Sequence, residues 1–129
     1  MYKEVLIIVI TIILILLLNN ITQNYTKDSV ESLSGILYQI REDFLQEEIE
    51  QEKLNKDIEN IFMEWENRHD TLAYYIEHDE LEKVEDELTK VKSNILTEEY
   101  EQGVEHLDSC VFLLQHIQDK ESFSLKNIF

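Results

Sequence analysis

Asp79 to Ile95 reads DELEKVEDELTKVKSNI, and its apolar residues Leu81, Val84, Leu88, Val91 and Ile95 recur at alternating intervals of three and four. That interval is the helical period, so all five side chains fall on one stripe while the charged residues between them face water. Asp79-Glu80-Leu81-Glu82 opens the segment with a capping-box pattern, a carboxylate followed three residues later by a glutamate. The stretch is therefore read as an amphipathic helix that begins after His78 and breaks at Thr97.

The same period continues on both sides. Toward the C-terminus, Tyr100, Val104, Leu107, Val111, Leu114 and Ile117 form a stripe that ends in the polar run Gln118 to Ser122. Toward the N-terminus, Leu54, Ile58, Ile61, Trp65, Leu72 and Ile76, widened by Phe62 and Tyr75, predict a helix over Gln51 to Glu77, with His69 on the same stripe. A further stripe of Val30, Leu33, Leu37, Ile40 and Phe44 follows a second capping-box pattern at Asp28-Ser29-Val30-Glu31 and predicts a helix over Asp28 to Gln46. Four amphipathic helices joined by short connections pack as antiparallel neighbours, as a four-helix bundle or as two stacked hairpins. The tail Phe123 to Phe129 alternates apolar and polar residues and is expected to fold back as a short cap.

Composition agrees with an all-α fold. There is no proline, and the two glycines, Gly35 and Gly103, stand alone inside helical patterns, so the chain lacks the punctuation that tight hairpins need. A glycine costs about 1 kcal/mol relative to alanine in a helix, and close approach of a neighbouring helix is the expected compensation at both positions.

The remaining segment has no stripe. Val5 to Leu18 reads VLIIVITIILILLL, apolar except for Thr11, and with its flanks it offers about 20 residues, or about 30 Å of helix, enough to cross a bilayer. Beyond it stand Asn19, Asn20, Ile21, Thr22 and Gln23 rather than a small-residue cleavage site, so the segment reads as a retained anchor. The expected organisation is a cytoplasmic start at 1–4, a transmembrane anchor at 5–21, a linker at 22–27 and an acidic helical domain at 28–129. Lys3 and the α-amino group precede the span and Lys27 follows at a distance, which favours an inside N-terminus and an extracytoplasmic domain. The sequons Asn20-Ile21-Thr22 and Asn24-Tyr25-Thr26 lie against the membrane face and are read as coincidental.

Charge narrows the partners. The net charge is −17, and Glu4 is the only one of the 28 acidic residues to precede Asp28, whereas Lys3 and Lys27 both do, so the domain after the anchor is more acidic still. Nucleic acid is excluded as an expected partner, because phosphate binding needs clustered Lys and Arg. The acidity also opposes lying flat on anionic lipid.

No constellation of chemistry-bearing residues emerges. Glu66-Asn67-Arg68-His69 has the Glu-x-x-His spacing of di-iron bundles, but those need it twice, and the residues three before His78, His106 and His116 are Tyr75, Gly103 and Leu113. His106 and Cys110 lie one turn apart, short of the three or four ligands zinc requires. Cys110 among Val111, Phe112, Leu113 and Leu114 reads as a buried thiol. No nucleophile, base and oxyanion set appears, and no glycine-rich phosphate loop. The expectation is no catalytic, cofactor or metal site and no enzyme.

Trp65, the junction Ile76-Glu77-His78-Asp79-Glu80, the stretch Leu113-Leu114-Gln115-His116-Ile117 and the closing Ser124-Leu125-Lys126-Asn127-Ile128-Phe129, following a single apolar span, resemble a bacterial family known as domain of unknown function 4363. In that family the junction usually runs Asp-His, where this chain has His78-Asp79 after Glu77. The resemblance covers nearly the whole chain. It implies a single-span bacterial membrane protein with an extracytoplasmic helical domain, and no activity. The functional expectation is a membrane-anchored interaction or structural module with a protein partner, such as an integral membrane protein. The alternative is a ligand- or pH-sensing bundle in which His69, His78 or His116 changes charge between about pH 5 and 8.

Overall fold

The computed structural model describes residues 1–128, with side chains described through Ser122. It holds four helices: α1 (Tyr2–Phe44), α2 (Gln51–Leu72), α3 (His78–Leu96) and α4 (Tyr100–Ile128). Consecutive helices run in opposite directions. α1 packs on α2 and α4, α3 packs on the same two, and across the diagonals the backbones stay apart. That ring is a four-helix bundle, which decides against two stacked hairpins.

Every residue of the first three stripes except the half-buried Phe62, Tyr75 and His69 is buried, with Leu37, Ile40, Leu54, Ile61, Leu81 and Leu88 deepest. On α4 the buried line is displaced. It runs through Gly103, Leu107, Cys110, Leu114 and Ile117, leaving Tyr100, Val104 and Val111 half-buried at its flank. The displacement brings α4 close to α1 at Gly103, where an added Cβ would lie 3.0 Å from Phe44 Cζ. The compensation expected at both glycines thus exists at Gly103, whereas a Cβ at Gly35 would meet nothing within 4 Å.

The helix boundaries differ from expectation at several points, and α2, expected to run to Glu77, stops at Leu72 and leaves 73–77 as the turn to α3. α1 is one helix of 43 residues, about 65 Å long, so residues 22–27 are helical and no break separates the apolar run from the bundle. Asp28 caps nothing, because amides inside a continuing helix already have partners; its carboxylate instead accepts from Arg68 Nη1 at 3.1 Å. At α3 the N-cap is Glu77, without a side-chain capping bond, so the Asp79 capping box does not form either. The tail expected to turn back instead continues α4 to Ile128.

The turns are built without glycine or proline. After α3, Glu98 takes the left-handed conformation with φ 57°, the Glu99 amide donates to Asn94 O at 2.9 Å, and the Glu98 amide donates to Ile95 O at 3.3 Å. This is a Schellman closure with a glutamate where glycine is usual.

Candidate functional site

The bundle has two unlike ends, and α1 sets which is which. At the end that faces the apolar run lie the start of the α1 stripe, the α2–α3 turn at 73–77 and the last turns of α4. The opposite, distal end carries the α1–α2 connection at 45–50 and the α3–α4 connection at 97–99.

At the near end, Tyr75 ties the turn to α1. Its hydroxyl lies 2.8 Å from Thr26 Oγ1 and donates to Thr22 O at 3.2 Å, while Thr26 Oγ1 donates to Thr22 O at 2.8 Å. The threonines of both sequons are therefore part of the helix and its packing. Burial pushes the Tyr75 phenol above its usual pKa, so it remains a neutral donor. Gln23 Nε2 donates to Glu121 O at 3.2 Å and fixes α4 beside α1. Lys120 bridges Glu80 at 2.9 Å and Glu77 at 3.4 Å, joining α4 to the start of α3. Tyr74, by contrast, is 90% exposed.

At the distal end, Gln51 links three helices: its Nε2 donates to Ile95 O at 2.9 Å and its Oε1 accepts from Tyr100 Oη at 2.6 Å. The Phe44 and Tyr100 rings pack beside this link with centroids 5.8 Å apart. Behind them lies a carboxyl pair missed by sequence reasoning. Asp43 Oδ2 and Asp57 Oδ2 are both inaccessible to solvent and have no hydrogen-bond donor, while Asp43 Oδ1 accepts from Lys53 Nζ at 2.9 Å. Burial, and then the adjoining Asp43 carboxyl, raise the Asp57 pKa. A proton placed between the two would supply the donor that these oxygens lack. Each aspartate sits on the α1 or α2 edge where those helices face, which their one-dimensional spacing cannot reveal.

The histidines do not converge. His69 is half-buried, edge-on to Trp65 at 5.6 Å and 3.4 Å from Asp70 Oδ1. His78 opens α3 and pairs with Glu82 at 3.0 Å, both exposed. His116 is exposed and stacks on Phe112 with ring centroids 6.5 Å apart. His106 bonds Glu87 Oε2 through Nδ1 at 2.8 Å rather than pairing with Cys110. Cys110 is fully buried and its thiol is pushed up to about 12, chiefly by burial, so it stays protonated and unreactive. Trp65 is buried and donates through Nε1 to Glu85 Oε1 at 3.0 Å, spanning α2 and α3. Among the described residues no group of three or more His, Cys, Asp or Glu is placed to hold a metal.

One surface concavity, of about 610 Å³, is an open acidic strip along α3 lined by Asp79, Glu82, Lys83, Glu85, Asp86 and Thr89. Lined by one helix and mixed in charge, it has no facing walls to enclose a small molecule. These features define an acidic, antiparallel four-helix bundle continuous with an apolar helix long enough to cross a membrane. The family model for domain of unknown function DUF4363 matches residues 20–128, and the chain belongs to that family. The match begins where the apolar run ends and takes in the whole bundle. No curated protein and no solved structure matches the chain.

Proposed function

We propose that this protein is a membrane-anchored module that holds an acidic helical bundle on the extracytoplasmic face and acts by docking to a protein partner, an integral membrane protein being the nearest kind, rather than by chemistry. The observation that carries this reading is the apolar run of α1. Its most apolar 18-residue window has no buried residue, so the bundle leaves uncovered a surface that water does not tolerate. The acidic side chains weigh little in orientation, and Lys3 holds the N-terminus inside. A cysteine introduced at the exposed Asn24 should react with a membrane-impermeant thiol reagent in intact cells, the buried Cys110 serving as a silent background. Reaction only after lysis would reverse the orientation, and recovery of the full chain in the soluble fraction would remove the anchor. Crosslinking in native membranes should capture a second protein; recovery of monomer alone, where known complexes survive, argues against docking.

A second reading, a pH-responsive bundle, draws support from the Asp43 and Asp57 pair rather than from His69, His78 and His116. Thermal melts of the parent and of Asp57→Asn at pH 4 and pH 7 test it: the variant should show the weaker pH dependence, and equal dependence would remove this reading.

A further inference from the structure

The near end of the bundle stands unusually close to the place where the apolar run stops. Thr22, to which Tyr75 is bonded, is four residues past Leu18, about 6 Å along the helix axis, and those residues are helical. α4 comes closer. Its Glu121 carbonyl is bonded to Gln23, and the helix continues seven residues to Ile128, about 10 Å farther in the direction of the apolar run. If Val5 to Leu18 fills a hydrocarbon core, the α2–α3 turn and the α4 turn beyond Glu121 lie at the depth of lipid headgroups, and the end of α4 reaches the edge of the core. The side chain presented there is Tyr74, 90% exposed with no packing role in the bundle, and tyrosine favours a layer that is apolar on one side and wet on the other.

We propose that the Tyr74 turn and the last turns of α4 seat in the headgroup layer of the bilayer that α1 crosses, so that the bundle rests end-on against lipid as well as being tethered to it. The occupant is lipid because a gap of about 6 Å with no flexible linker leaves no room for a folded partner between bundle and membrane. Charge selects the kind of lipid. Around the turn stand Glu77, His78 and Asp79, while Lys120 is held by Glu77 and Glu80, so the seat depends on the aromatic side chain and on depth rather than on anionic headgroups. This inference rests on the anchored reading above.

The test uses the full chain with Cys110→Ala, reconstituted in phosphatidylcholine vesicles, carrying one environment-sensitive label at a cysteine replacing Ile12, Ala73 or Glu48. Ile12 reports the span, the exposed Ala73 the turn with Tyr74 retained, and the exposed Glu48 the distal turn. The expected result is that nitroxide on the headgroup quenches the Ala73 label, that iodide quenches it severalfold less than the Glu48 label, and that nitroxide in the acyl chains quenches the Ile12 label. Adding anionic lipid should not deepen the Ala73 label. An Ala73 label as open to iodide as Glu48, with Ile12 quenched by acyl-chain nitroxide, overturns the seat and leaves the anchor standing. An Ile12 label untouched by lipid nitroxide overturns both.

Discussion

Two halves of α1 share one backbone and differ in almost everything else. From Val5 to Leu18 the helix is apolar on every side and exposed; from Thr26 to Phe44 it is apolar along one stripe, and that stripe is buried. The hydrogen bonds that make the helix are the same in both halves, so helicity says nothing about surroundings. What differs is the angular distribution of apolar side chains, all round on the exposed half and one-sided on the half that packs in the bundle.

This contrast predicts that damage in one half spares the other. The largest effect should come from placing aspartates at both Ile12 and Ile15, each about 2.5–3.5 kcal/mol unfavourable at the centre of a membrane helix. Such a chain should move from the membrane pellet to the soluble fraction with the melting of its bundle unchanged. A chain that still pellets after alkaline washing breaks the contrast. Next is Ile40→Ala in the buried half, which should lower the unfolding free energy by about 2–5 kcal/mol in urea titration, while Ile8→Ala, the same truncation on the exposed half, should shift it by less than about 0.5 kcal/mol. Equal effects would mean that the apolar half is packed against something in solution.

A smaller effect is expected at the carboxyl pair. Asp57 has its folded pKa raised, so between its unfolded and folded values the native state binds the extra proton. That stability is present below the unfolded pKa and is lost as pH rises through the folded one. Chemical denaturation of the parent from pH 4 to pH 7 should show this fall. Asp57→Asn, which carries a permanent donor toward Asp43 Oδ2, should flatten it; a parent curve that rises with pH through this window would show that the two carboxyls do not share a proton. The smallest effect compares the glycines. Gly35→Ala, at an exposed site with nothing within 4 Å, should gain about 0.5–1 kcal/mol, whereas Gly103→Ala, meeting Phe44 Cζ at 3.0 Å, should lose stability. A gain at Gly103 equal to that at Gly35 would show that the Phe44 ring yields freely.

The comparison also explains what the sequence disclosed. Stripes at helical spacing found the core residues of α1, α2 and α3, since each depends only on local period and on burial. On α4 the stripe placed Val104 and Val111 on the core line, whereas the burial read for Cys110 from its neighbours and the close approach read for Gly103 from its missing side chain mark where that line runs. The capping boxes failed for a related reason. A box competes with continuation of the helix, and at Asp28 the preceding residues were helical enough to continue. Scarcity of glycine and absence of proline did argue for helices, yet they hid the turn at Glu98, whose left-handed φ is imposed by the two helices it joins. The polar ties among Gln51, Ile95 and Tyr100, among Tyr75, Thr22 and Thr26, and the Asp43 and Asp57 contact all depend on the register of helices distant in sequence. No single helix contains that information.

The absence of any break in α1 between Leu18 and Thr26 makes the helix a rigid shaft whose two halves are locked in angular phase. Each residue adds about 100° of rotation and about 1.5 Å of rise, so the compass bearing at which the bundle faces its neighbours is set by a residue count. One residue inserted at Asn20 would swing the bundle by more than a quarter turn, while seven would return it close to its starting azimuth about 10 Å higher. Torque, tilt and register applied to the apolar end would reach the acidic end undiminished, as they would not through a flexible tether.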